Sequence, residues 1–242
     1  MSSGSRGRSL VRKVTGNKRG RSASRSGSTA RYSTVSSRDG FARRGWTNPM
    51  SMSKYFDPFP RTMRAVLRYS ETVNLDATNS SPAHYLFRAG SIFDPNYTGV
   101  GHQPYGHDTY QNIFNHYRVV KSVCKITSAS GGANNIMGIT LTDDVTVQTG
   151  YDTLREVKPT KFFPLAGSSD ARTLIMEYNS AQAFPGQGQA TTALFGNNPA
   201  EEMYFDIWTQ GNLSTNNPGA LAVAVCIEYY VEFSELKDLG SS

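Results

Sequence analysis

Apolar and polar residues are unevenly distributed along the chain. Residues 1–45 are Ser, Gly and Arg with almost no core-forming side chains. From Arg61 the pattern becomes short runs of alternating apolar and polar residues, closed by Gly, Pro, Asn or Asp. A period of two is that of a half-buried strand. Met63–Leu75 starts the sheet, and His84–Ile92 follows, closed by Asp94-Pro95. Tyr117–Thr127 carries Val119, Val123 and Ile126. Gly131-Gly132 and Asn134-Asn135 mark a turn into Ile136–Thr142. Lys161–Leu165 lies between Pro159 and Pro164, and Thr173–Tyr178, Met203–Thr209 and Ala220–Phe233 complete the set. Eight predicted strands joined by loops exclude regular βαβ units and favour an antiparallel sandwich or barrel. Their long, uneven connections suit an all-β, eight-stranded jelly roll made of two four-stranded sheets.

One short helix is predicted in a loop. Asp108 is placed to cap it, with Gln111 three residues on. Tyr110, Ile113, Phe114 and Tyr117 then fall at i, i+3, i+4 and i+7, an apolar stripe over two turns that would pack on one end of the sandwich.

Charge divides the chain more sharply than hydropathy does. The formal net charge is +6. Residues 1–44 carry twelve bases (Arg6, Arg8, Arg12, Lys13, Lys18, Arg19, Arg21, Arg25, Arg31, Arg38, Arg43 and Arg44) against one acid, Asp39, a net of +11. Residues 45–68 add Lys54, Arg61, Arg64 and Arg68 against Asp57. The remaining residues hold nine bases and seventeen acids, a net of −8. A basic tail on an acidic body is expected of a nucleic-acid-binding arm attached to an independent domain. The predicted organisation is therefore a disordered arm over 1–45, a Pro/aromatic linker over 46–60 (Trp46, Tyr55, Phe56 and Phe59 among Pro49, Pro58 and Pro60), and a β domain over 61–242.

The arm carries the strongest chemical signal. Clustered cations neutralise phosphates and release counterions, giving sequence-independent and salt-sensitive binding. Ten of the twelve cations are Arg, whose planar fork bonds phosphate bidentately. Lys18-Arg19-Gly20-Arg21 also fits a nuclear localisation signal through Lys18, Arg19 and Arg21. Ser22, Ser24 and Ser26 interleave with Arg21 and Arg25, where phosphorylation would remove positive charge.

Other chemistry is thin. Gly99, Gly101 and Gly106 do not form GxGxxG, and neither GxxxxGK[ST] nor GxSxG occurs. His102, His107 and Asp108 share a loop without the i, i+4 spacing of a preformed metal site and read as ordinary loop or interface residues. Asp143-Asp144 reads as a solvated turn. No catalytic residue, metal or other cofactor is expected. Cys124 and Cys226 fit neither a zinc spacing nor a disulfide framework, so both are expected as buried, reduced thiols in strands; in the usual jelly-roll order they would be near neighbours in one sheet. No apolar run reaches the ~18 residues of a membrane-spanning helix. The basic N-terminus lacks the apolar core of a secretory signal, and its glycines oppose the amphipathic helix of a transit peptide.

Phe93-Asp94-Pro95, then Gly101-His102-Gln103-Pro104-Tyr105-Gly106-His107-Asp108, then the aromatic segment ending in Tyr117-Arg118-Val119 resemble capsid proteins of circular, Rep-encoding single-stranded DNA viruses, the circovirus-like group. Those proteins share a GHQPxGxD element, a short helix and a YRV strand, together with an Arg-rich amino terminus. The resemblance covers roughly residues 85–125 and is compositional elsewhere. It implies a jelly-roll subunit without enzymatic activity, a T=1 icosahedral virion of about sixty copies, a single-stranded DNA cargo, and entry into the host nucleus through the host import machinery. A different reading is a cellular nucleic-acid-binding protein of ribosomal or chromatin type with a basic tail. Such proteins spread basic charge over the globular part, whereas here that part is acidic. A cupin-type enzyme would need metal-binding histidines clustered in strands, and only His84 lies clearly in one.

Overall fold

The computed structural model describes residues 59–78, 81–130, 134–157, 159–165, 171–213 and 217–238. The twelve arm cations, the localisation motif and most of the linker lie outside the described residues.

The alternating runs form strands wherever one face can be buried. In β9 (Gly219–Leu236) the sequence LAVAVCIEYYVEF places Leu221, Val223, Val225, Ile227, Tyr229, Val231 and Phe233 on one face, each at most 1% exposed. β1 (Thr62–Ala77) repeats the pattern with Leu67, Tyr69, Val73 and Leu75. Full burial of one such side chain is worth about 1.5–3 kcal/mol, so this facing is what fixes register.

The eight predicted strands are all present. They are β1, β2 (Ala83–Arg88), β3 (Phe114–Ser130), β4 (Asn135–Thr142), β5 (Thr160–Pro164), β6 (Thr173–Asn179), β8 (Tyr204–Gly211) and β9. A ninth, β7 (Thr192–Leu194), pairs with the start of β3. One sheet runs β1-β9-β3-β6, with β7 beside β3, and the other runs β2-β8-β4-β5. All pairs between named strands are antiparallel. The chain crosses repeatedly from one sheet to the other, and the two four-stranded orders are those of a jelly roll. The main core lies between the sheets, built from Tyr69, Phe87, Tyr117, Met137, Ile139, Phe205, Ile207, Tyr229 and their neighbours.

Several expectations need correction. The predicted two-turn helix is one turn long, α1 (His107–Gln111). Gly106, with φ 89°, occupies its N-cap position and no side chain caps it; the Asp108 carboxylate meets His107 Nδ1 at 3.0 Å instead. Phe114 and Tyr117 belong to β3, because hydrogen bonding to β9 and β7 outweighs the helical spacing. Two further single turns, α2 (Thr153–Glu156) and α3 (Ser180–Ala183), had no signal in the pattern. β2 ends at Arg88, not Ile92: Ala89 donates to the Met203 carbonyl and the chain turns away.

The cysteines are neighbours, as expected, but only Cys124 is buried; Cys226 is half-buried. Cys124 lies opposite Ile227, whereas Cys226 lies opposite Lys125. Cross-strand partners share a face, so the two thiols project from opposite faces of one sheet and cannot be bridged without turning a strand over.

Candidate nucleic-acid arm and the faces of the sandwich

Phosphate-binding cations on the β domain would have to sit on an outer sheet face or at a loop. On the outer face of the β1-β9-β3-β6 sheet, three cations, Arg64, Arg68 and Lys121, have carboxylate partners across the strands. The Arg64 guanidinium donates to Glu232 from both Nε and Nη2, at 2.8 and 2.6 Å. Arg68 meets Glu228 at 2.7 Å. Lys121 meets Glu177 at 2.8 Å. That last contact raises the ammonium pKa and lowers the carboxylate pKa, chiefly through the hydrogen bond they share. Arg64 and Arg68 belong by sequence to the basic end of the chain. In the fold they form a ladder of balanced charge with β9.

A β-bulge at Val120 interrupts the β3–β9 register between Val119 and Lys121. It opens a shallow groove of about 320 Å³ on this face, lined by Val66, Val120, Tyr230 and the stems of Arg64 and Lys121. Val66 and Tyr230 are exposed there.

The outer face of the β2-β8-β4-β5 sheet is covered, and every residue of β8 is buried. Trp208 lies flat over Gly138, with Ile136 and Leu154 completing a small second core. Its indole N–H donates to Thr140 Oγ1 at 3.0 Å, and Thr140 shares a second bond with Thr160. Beside it, His84 Nδ1 sits 3.0 Å from both carboxylate oxygens of Asp206, and His84 Nε2 is buried without a partner.

The GHQPYGHD loop is pinned along the free edge of β1. Tyr105 N–H donates to the Arg68 carbonyl at 3.1 Å, and His102 stacks on Tyr69 with ring centroids 4.5 Å apart. Gly101 is required here, since a Cβ would sit 2.6 Å from the Tyr69 hydroxyl and 2.7 Å from Asn96 Cβ. Behind the loop, the Asn96 amide donates to Glu71 and to the Tyr85 hydroxyl, and Tyr69 hydrogen-bonds Glu71. The loop thus has a rigid base, from which Tyr105 (92% exposed) and Val100 (78%) project into solvent.

The four histidines are spread out. His84 lies in β2, His102 and His107 lie on the loop and at its end, and His116 lies in β3 against Glu235 at 2.8 Å. Among the described residues no three His, Cys, Asp or Glu side chains converge on a metal-sized site. His107 is buried with its Nδ1 3.0 Å from the Asp108 carboxylate, while His102 stacks on Tyr69. Asp143-Asp144 is exposed, with the Asp144 carboxylate accepting from Thr146 N–H in a local turn. Burial raises the hydroxyl pKa of Tyr69, Tyr117 and Tyr229, pushes that of Tyr178 up to about 12, and raises the Cys124 thiol. These groups therefore stay protonated near neutral pH and supply neither a base nor a thiolate. No helix among the described residues is long and apolar enough to cross a membrane.

No family model matches this sequence, and no curated protein matches it. Solved structures do. A decameric BFDV capsid protein matches at 11% identity over 72% of this chain and 100% of that one, with a TM-score of 0.42. The Macrobrachium rosenbergii nodavirus semi-empty virus-like particle matches at 9% identity over 76% and 100%, with a TM-score of 0.46. Desmodium yellow mottle tymovirus matches at 12% identity over 77% and 95%, with a TM-score of 0.40.

Proposed function

We propose that this chain is a structural capsid protein. Its jelly-roll domain self-assembles into a small closed shell, and its Arg-rich arm packages single-stranded DNA. The observation that carries the reading is the separation of charge from fold. The domain's outer sheet face holds Arg64, Arg68 and Lys121 in ion pairs with Glu232, Glu228 and Glu177. Phosphate neutralisation is left to the +11 arm. A scaffold with this division can build a wall from one part and fill it with the other.

Arg6, Arg8, Arg12, Lys13, Lys18, Arg19, Arg21, Arg25, Arg31, Arg38, Arg43 and Arg44 are assigned to phosphate contact. Lys18, Arg19 and Arg21 are assigned in addition to recognition by the nuclear import machinery. The wall needs apolar surface that assembly can bury, and Tyr105 and Val100, held out on a rigid loop, supply it. About sixty copies, a virion location and a nuclear assembly stage complete the proposal.

Electron microscopy of the expressed protein tests it, with nucleic acid extracted after external nuclease and then digested with DNase or RNase. Closed particles holding protected, DNase-sensitive strands are expected. Monomers without particles would refute the capsid reading, and RNase-sensitive cargo would refute the DNA assignment.

A further inference from the structure

The arm's hydroxyls stand in a fixed register to its arginines. Seven of the ten Arg residues in 1–44 have Ser or Thr three positions on: Ser9, Thr15, Ser22, Ser24, Ser28, Thr34 and Thr47 follow Arg6, Arg12, Arg19, Arg21, Arg25, Arg31 and Arg44. Composition alone does not produce this, because Ser and Thr make up fifteen of the first fifty residues, which predicts about three such pairs. Among the seven Arg of the rest of the chain only one, Arg88, has the same neighbour, Ser91. The fold removes that one from chemistry. Ser91 is fully buried, and its hydroxyl is held 2.8 Å from the Tyr117 hydroxyl and 2.7 Å from Asn198 Oδ1.

We infer that the arm is a multisite substrate for an arginine-directed protein kinase, and that phosphorylation switches it from binding nucleic acid to releasing it. This rests on the arm being the phosphate-binding element proposed above. A kinase reads a cation at a fixed distance before its target hydroxyl through carboxylates in its peptide groove, so the repeated three-residue offset is the feature recognised. At each site the hydroxyl oxygen bonds to the γ-phosphorus of a nucleoside triphosphate. The bond to the bridging oxygen breaks, the nucleoside diphosphate leaves, and the hydroxyl proton is released.

The charge balance gives the switch its range. Each phosphate carries about −1.5 to −2 at neutral pH. The six sites within residues 1–44 therefore supply about −9 to −12, against the arm's +11. Full modification brings the arm close to neutrality, while one or two phosphates only trim it. The domain offers little in exchange, because Arg64, Arg68 and Lys121 on its outer face are each balanced by a carboxylate, Glu232, Glu228 and Glu177.

The test treats the full-length protein with a nucleoside triphosphate and the catalytic subunit of cyclic-AMP-dependent protein kinase. Phosphates are then counted by intact mass and placed by peptide mapping. The expected result is several phosphates per chain at hydroxyls following Arg by three, and none at Ser91. Incorporation below one per chain, or spread over Ser2, Ser26, Ser33 and Ser36 as readily as over Ser22 and Ser24, overturns the assignment. Binding to a single-stranded oligonucleotide is measured in parallel by salt titration. It should weaken at least a hundredfold on modification, with its salt dependence nearly abolished. A variant with all seven hydroxyls, Thr47 included, replaced by Ala keeps all arm charge, so it should bind like the unmodified protein and ignore the kinase. If it too loses binding after kinase treatment, the switch is elsewhere. If the unmodified protein does not bind the oligonucleotide, the nucleic-acid reading fails, and the phosphate map still decides the modification sites.

Discussion

Gly138→Ala tests how the outer face of the β2-β8-β4-β5 sheet is closed. Gly138 and Trp208 are directly paired across β4 and β8. A Cβ built on Gly138 would lie 2.1, 2.3 and 2.6 Å from three indole carbons, all within the distance that real side-chain carbons avoid. Neither partner can give way. Trp208 is fully buried, and its N–H is fixed to Thr140. Displacing the ring costs the overpacking energy, about 1–3 kcal/mol, and strains or breaks one hydrogen bond, about 0.5–1.5 kcal/mol. The expected destabilisation is therefore about 2–4 kcal/mol. Denaturant unfolding of the full chain measures it, with Trp46→Phe as background so that Trp208 is the sole indole reporter. The native emission of Gly138→Ala should shift to the red as the ring meets water. A double-mutant cycle followed by circular dichroism isolates the cause: in a Trp208→Leu background the added methyl should cost less than about 1 kcal/mol, giving a coupling of at least about 1 kcal/mol. An equal cost of Gly138→Ala in both backgrounds would show that backbone preference and not the indole sets the requirement for glycine, and would refute the reasoning.

Other outcomes follow from the same geometry. Deleting residues 2–44 should leave a cooperatively folding domain, since every described strand lies from Thr62 onward, and should abolish packaging; gradient sedimentation with nucleic-acid extraction reads both. Neutralising Arg19, Arg21 and Arg25 together should reduce the salt slope of single-strand binding by about 2, since each phosphate no longer neutralised accounts for about 0.7, and should shorten the packaged cargo on a denaturing gel. Native thiol labelling should modify Cys226 alone, with Cys124 reacting only on unfolding, and non-reducing mass analysis should find no bridge. Arg68→Ala should cost less than about 1 kcal/mol in thermal unfolding, because its ion pair with Glu228 is exposed and screened. Tyr105→Ala should leave the melting temperature nearly unchanged while lowering the yield of closed particles by size-exclusion chromatography.

The strands were legible because this chain punctuates them. Gly131-Gly132 and Asn134-Asn135 precede β4, Pro159 and Pro164 bracket β5, and Asp94-Pro95 follows β2. Between those marks a period of two is a direct statement about which side chains share a face. β7 escaped because three residues cannot establish a period. The aromatic stripe from Tyr110 to Tyr117 misled because its members do gather at one end of the core, with Tyr110 stacked on Phe233 at 4.3 Å and Phe114 stacked on it at 5.8 Å. They reach that cluster from a turn and a strand, not from one helix. The register between paired strands was not legible. That Cys124 faces Ile227 and Cys226 faces Lys125 is a matter of register, which no local spacing encodes. The balanced ladder on the outer face was hidden for the same reason: Arg64 and Glu232 are 168 positions apart. The candidate arm was the converse case, read wholly from charge and composition.

Both sheets are built around strands made last. β9 lies between β1 and β3, and β8 lies between β2 and β4, so Tyr204–Leu236 supplies the middle of each sheet. At a synthesis rate of about 5–20 residues per second, β1 and β2 wait roughly 7–30 s for a partner. A chain that stops near residue 200 leaves both of them with nothing to pair against and much of the core open. Incomplete copies thus have no sandwich, and the topology acts as a length check on what can fold. The corresponding exposure is a window during translation in which the long edge of β1 is bare, and high expression would draw aggregates from nascent chains sooner than from finished ones.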